Sequence, residues 1–190
     1  TPGPDELPWG IVRDLDASQA DDPLLTTEPF CSLLSETTVG STDPLDFLAA
    51  ATTFMNDTLW GTLSAAIVVA PELERDGEVV RGLDRAVTDL RYGCVALNHW
   101  PAVSYGLVSP PWGGHPSATP GDVQSGTGWV HNTFMLGGID KAVVRGPIRA
   151  RPTPPWFADH PTAGRAGPAL VALESDPRWA RLPGVLRRLL

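Results

Sequence analysis

Apolar residues along the chain recur at helical spacing, then run together, and then do both again. Leu45, Leu48, Ala51, Met55 and Leu59 fall three and four residues apart, which is one face of an amphipathic helix. Asp43 stands before them as an acceptor for the first free N–H groups, and Pro44 sits where its missing N–H is harmless. Gly61 ends that helix. The apolar run over 63–70 then predicts a strand buried on both faces and stopped by Pro71. Val80, Leu83, Val87 and Leu90 line a second helix over 79–92, with Gly93 as the residue just past its end. Cys94, Val95, Ala96 and Leu97 follow as a short buried strand ending at Asn98. Helix, buried strand, helix, buried strand is the rhythm of a βαβ crossover. The predicted fold class is α/β, a mostly parallel sheet flanked by helices.

The flanking segments read more weakly. Residues 1–29 are rich in proline and acid and read as loop, with a short strand over 9–12 ended near Asp14. A short buried strand fits within 30–39. Residues 99–128 form a long loop of Gly, Pro, Ser and aromatics, a length that is uncommon inside a domain and usually functional. A short helix is expected over 129–136 and a strand over 141–145. The proline-rich, basic stretch 147–155 is expected to be extended, and 168–190 to form two short helices. The domain organisation that follows is 1–146 as the α/β body, with its last strand at 141–145, and 147–190 as an arm with terminal helices.

Composition narrows the function classes. The chain has 190 residues, enough for one domain or one domain with a tail. Fourteen Lys and Arg against 22 Asp and Glu give a formal charge of −8, which argues against nucleic acid as a partner held by a basic surface. No apolar run approaches the roughly 20 residues of a membrane helix, so no membrane partner is expected. Two cysteines are too few for a disulfide framework. With the acidic charge, they are compatible with a cytoplasmic enzyme. The start Thr1-Pro2-Gly3 lacks a Met and a leader pattern, so a processed product or a piece of a longer chain is expected.

Candidate chemistry begins where the second strand ends. Open α/β sheets bind ligands at the carboxyl ends of their strands, and Asn98, His99 and Trp100 hold that place. Cys31 reads either as a nucleophile, with His99, His115, His131 or His160 as base, or as a small buried cysteine. Cys94, inside an apolar strand, reads as core. The histidines and cysteines are scattered without ligand spacing, so no metal is expected. No phosphate-binding glycine motif follows a strand.

The order of several short strings goes further. Glu28-Pro29-Phe30-Cys31 resembles the E-x-F-G-P element of the aldehyde dehydrogenase superfamily. Asn56-Asp57-Thr58-Leu59-Trp60-Gly61-Thr62-Leu63-Ser64-Ala65 resembles its N-x-x-x-(aromatic)-G-L-S-A segment, with one extra residue before the Leu. Gly93-Cys94-Val95-Ala96-Leu97-Asn98 is similar to its G-x-v-x-v-N strand. Pro111-Trp112-Gly113-Gly114 resembles P-(F/W)-G-G, and Ser125-Gly126-Thr127-Gly128 the S-G-x-G that follows. Lys141-Ala142-Val143-Val144 resembles the strand that reaches to a neighbouring subunit. The resemblance covers roughly residues 8–150 and corresponds to the C-terminal part of the catalytic domain.

That resemblance implies roles. Glu28 would accept hydrogen bonds from the nicotinamide ribose of NAD or NADP, as an ionised carboxylate does from a diol. Phe30 would lie near the nicotinamide ring, its bland alternative being ordinary core packing. His99, Trp100, Tyr105 and Trp112 would line the entrance for a small-molecule aldehyde, the alternative being packing of the loop onto the body. Cys31 and Ser32 stand where the family has Gly and Pro, so Cys31 aligns with a turn and not with the catalytic cysteine. The link 115–124 is longer than the family's. The nucleophilic cysteine, general base and coenzyme domain all match positions upstream of this sequence. The implied parent oxidises an aldehyde to a carboxylic acid through a thioester on that upstream cysteine, so catalytic residues within this chain are none. The missing N-terminal coenzyme-binding part and further copies of the chain in a homo-oligomer are the implied partners. A non-catalytic oligomerisation or scaffold module that keeps the subfold is the alternative, and a Cys31 hydrolase a third.

Overall fold

The computed structural model describes residues 3–5, 7–147 and 160–189. In chain order the elements are β1 (Gly10–Leu15), α1 (Pro23–Thr26), β2 (Leu33–Thr37), α2 (Pro44–Asp57), β3 (Ser64–Ile67), α3 (Gly77–Asp89), β4 (Cys94–Leu97), α4 (Ala102–Gly106), β5 (Trp112–Gly113), β6 (Trp129–Val130), β7 (Ala142–Arg145), α5 (Ala163–Ser175) and α6 (Leu182–Leu189). The result is an α/β architecture of small, mostly parallel sheets flanked by helices.

Two aspartates start the long helices. An Asp43 oxygen accepts from the N–H groups of Leu45 and Asp46 at 2.9 and 3.0 Å, and Pro44 is the first residue of α2. Asp76 does the same for Glu78 and Val79 at the head of α3. Such caps satisfy N–H groups that a helix start otherwise leaves unpaired. α3 ends at Asp89, and Gly93 is not its αL terminator; its place is decided by the close approach described below.

The central sheet runs β3-β4-β7, all parallel. Leu48 of α2 and Val79, Leu83, Ala86, Val87 and Leu90 at α3 bury against Ala65, Val69, Val95 and Leu97. Each such side chain is worth about 1.5–3 kcal/mol when fully removed from water. The two helices meet at Gly82, where a Cβ would come within 2.6 Å of a Leu45 methyl.

All four residues of β4 are buried. Its second face is covered by the segment entering α4, where the Pro101 carbonyl lies 3.8 Å from Cys94 Sγ. The expectation that β3 is buried on both faces fails. Ala65 and Val69 point inward, but Ala66 is exposed and Val68 is 74% exposed. β3 is an edge strand whose outer face the helices do not reach. β7 is the other edge among the described residues. Lys141, just before it, donates to the carbonyls of Val87, Thr88 and Leu90 at 3.0, 2.7 and 2.6 Å, so a cation sits on the carbonyl end of α3.

β1 and β2 form a separate parallel pair with an irregularity between Val12 and Leu15, where Asp14 takes φ 56°. The strand expected in 30–39 exists as β2 but is half-exposed, since one two-stranded layer covers little. β5 and β6 form a short antiparallel pair. The helix expected over 129–136 is absent: Trp129 and Val130 pair with Gly113 and Trp112, and left-handed His131 and Asn132 turn the chain next.

The chain divides into two compact units at Ile148 and Arg149. In the second, α5 and α6 are joined by a 3-10 turn (Trp179–Arg181). Arg181 ties that turn to Asp176 at 2.9 Å and to the carbonyl of Ala172. α5 starts before 168 and carries Pro168 within it. The extended stretch expected over 147–155 falls, from 148 on, outside the described residues.

Candidate functional site

Four of the family-like strings meet behind β4. Gly61 N–H donates to Gln124 Oε1 at 2.9 Å and Thr62 N–H to Ser125 Oγ at 2.8 Å. The carbonyl of Thr62 accepts from Gly93 at 2.8 Å and from His115 at 3.1 Å. The glycines then pack backbone on backbone. A Cβ at Gly93 would fall on the carbonyl of Gly113, one at Gly113 on that of Gly128, and one at Gly114 on that of Gly126. Gly93, Gly113 and Gly114 are therefore required by space, since no side chain fits between the segments there. Upstream, Trp60 N–H reaches the carbonyl of Leu25 at 3.0 Å and anchors α1.

At the carboxyl end of β4, Asn98 is committed to the fold. Its Oδ1 accepts from Val69 N–H at 2.7 Å and its Nδ2 donates to Glu74 at 2.8 Å, from a left-handed φ of 52°. It latches the end of β3 and has no polar atom left over for a ligand. His99 turns its ring onto Gly146, just past β7.

The entrance residues divide. Tyr105 and Trp112 meet edge to face with ring centroids 5.8 Å apart. Trp100 is half-exposed and His99 lies at the sheet end; neither makes a ring contact with that pair among the described residues. His131 joins instead, its ring 5.2 Å from Tyr105 and tilted 39°. Its Nδ1 is buried without a hydrogen-bond partner among the described residues, a polar atom available to a ligand. Sequence reading offered His131 only as a base for Cys31, because nothing local signals a partner more than twenty residues away.

Glu28 and Phe30 lie in the open. Glu28 makes no hydrogen bond or ion pair among the described residues, and Phe30 is 84% exposed with φ 43°. Phe30 is thus not core, and neither residue is brought to the aromatic cluster. Cys31 is exposed and free, with no hydrogen bond to a described histidine. Burial pushes the Cys94 thiol pKa up, as suits a core thiol.

A cleft of about 470 Å³ lies elsewhere, lined among others by Asn56, Trp60, Gly61, Arg91, Ser117 and Gln124. Arg91 pairs there with Asp57, and its N–H donates to Asn56 Oδ1 at 2.7 Å. Tyr105, Trp112 and His131 do not line it.

The chain matches no protein-family model, no curated protein and no solved structure. Residues and geometry therefore carry the functional reading. No helix among the described residues is long and apolar enough to cross a membrane. No group of three or more His, Cys, Asp or Glu among them is gathered to hold a metal ion.

Proposed function

We propose that the chain is the C-terminal portion of an aldehyde dehydrogenase-like oxidoreductase using NAD or NADP. The observation that supports this reading is the joining of four strings, far apart in sequence, through Gly93, Gly113, Gly114, Gly126 and Gly128. In this reading Tyr105 and Trp112, with His131 beside them, form the apolar wall of the aldehyde entrance. Glu28 and Phe30 are the coenzyme contacts, and their exposure suits a surface that a coenzyme-binding part covers. The cofactor supplies hydride acceptance. The residues of this chain bind and orient, and exclude water with their rings.

The natural gene product tests this. A species much heavier than 20.3 kDa that reduces NAD or NADP only when an aldehyde is added is the expected result. A natural product of this size, or a heavier one without coenzyme binding, overturns it.

One observation favours the scaffold reading as a second choice. Among the described residues β7 pairs with β4 on one side only, and an edge strand with a free side is a template for strand addition. In that case Val143→Pro lowers the oligomer mass in solution; an unchanged mass counts against it.

A further inference from the structure

Three side chains around the loop between β4 and β7 stand in a line that the reading above does not use. His115 Nδ1 lies 2.9 Å from Ser117 Oγ. Its Nε2 lies 3.2 Å from Asp140 Oδ1. The backbone N–H of Ser117 also points to Nδ1, at 3.2 Å. A nitrogen that accepts a backbone N–H carries the lone pair, so the proton sits on Nε2 and goes to Asp140. The single lone pair of Nδ1 is then shared between that N–H and the nearer serine hydroxyl.

Asp140 is itself held. Lys141 Nζ is 3.4 Å from its second oxygen, and that ammonium is fixed by the three carbonyls at the end of α3. Burial lowers the His115 pKa below its ordinary value despite the pull of Asp140, so the imidazole is a neutral base near pH 7. Ser117 is exposed on the wall of the 470 Å³ cleft, whose lining also includes Trp60, Arg91 in its pair with Asp57, and Asp122. Trp60 supplies an apolar neighbour, and with the Arg91 charge engaged by Asp57 and a second carboxylate at Asp122 the cleft suits a neutral ester better than an anion.

We propose that Ser117, His115 and Asp140 form a nucleophile, a base and a positioning residue that hydrolyse small carboxylic esters seated in this cleft. Ser117 Oγ attacks the ester carbonyl carbon while its proton passes to His115 Nδ1. The C–O bond to the alcohol breaks, and the alcohol leaves with that proton. Water, deprotonated by the same nitrogen, then attacks the acyl-serine and releases the carboxylic acid, restoring the serine hydroxyl. The sum is ester plus water giving acid plus alcohol, with no oxidant or cofactor required. The order of roles is the general logic of an activated nucleophile, here on a His-x-Ser spacing and with Nδ1 as the base nitrogen.

The 190-residue chain tests this without any upstream segment or NAD(P), so its outcome is independent of the oxidoreductase reading. A fluorophosphonate is added and its adduct located by peptide mass, and turnover is followed with p-nitrophenyl acetate. A single adduct on Ser117 is expected. Ser117→Ala and His115→Gln each lower kcat/KM at least about a hundredfold. Asp140→Asn lowers kcat with KM unchanged. Peptide mapping separates this from acylation of the exposed Cys31 thiol. Absence of label on Ser117 overturns the proposal, as does a hydrolysis rate that Ser117→Ala leaves unchanged.

Discussion

The β3-β4-β7 sheet and the β1-β2 pair are both parallel, but they live under opposite conditions. β4 has a strand on each side, helices on one face and the entry to α4 on the other, and its four residues are buried. Among the described residues the β1-β2 pair has one ladder and no such cover. Trp9 beside it is 91% exposed and Leu34 within it 62%. Parallel strands are stable where both faces are covered, and a lone two-stranded unit is marginal in water. Among the described residues β4 has its cover and β1 and β2 do not. The same contrast separates the candidate residues. Tyr105, Trp112 and His131 are gathered by the loop that folds around β4, whereas Glu28 and Phe30 sit on the link between the exposed strands.

The contrast breaks most directly at Gly93. Its Ala variant places a methyl on the Gly113 carbonyl, with backbone rather than a flexible side chain in the way. We expect a loss of about 3 kcal/mol or more, read as a lower urea midpoint, or no folded sheet at all. An unchanged midpoint would mean that the loop is not seated as described.

Alkali probes the same core. Burial pushes the Tyr92 phenol up to about 12, from 10.0. Between those values the folded state keeps a proton that the unfolded chain has lost. The corresponding stability is fully present below pH 10 and falls as pH rises toward 12, by about 2–3 kcal/mol in all. Urea titrations at pH 9 and pH 11 measure it. Tyr92→Phe removes most of that slope; an identical slope in the variant would contradict the assignment.

The exposed pair sharpens the contrast from the other side. Leu34→Thr is expected to change stability by no more than about 0.5 kcal/mol while reducing self-association in light scattering. A drop comparable to that for Gly93→Ala would mean that β2 is covered after all.

Where local chemistry dictated an element, the sequence was readable. Asp43, Pro44 and the Leu45–Leu48–Met55 spacing define α2, and the apolar stripe through Leu83 and Leu90 defines α3. The apolar string at Cys94 gives the buried strand at the centre of the sheet. What stayed hidden depends on distant partners. α1 and α4 are too short to show a period. β6 is a strand because Trp129 meets Gly113, a fact absent from its own neighbourhood, so its residues passed for helix. Gly93 passed for a helix terminator because the requirement on it comes from Gly113 across space. His115 and Ser117 are two residues apart, but Asp140, which gives them a chemical meaning, arrives only after a long excursion. The aromatic wall was half legible: Tyr105 and Trp112 stand in a loop of evident composition, and His131 comes from beyond β6.

That excursion has a bearing on how the chain folds. β3, α3 and β4 follow one another closely, so their contacts need only short loops to close. β7 joins them after residues 98–141, and the ammonium of Lys141 reaches the end of α3 only when it does. Long closures slow assembly because chain entropy is lost before contacts return it. The nascent polypeptide is therefore expected to hold a parallel β3-α3-β4 intermediate with one side of β4 open until the final strand emerges from the ribosome, and that is the interval in which a chaperone has most to cover.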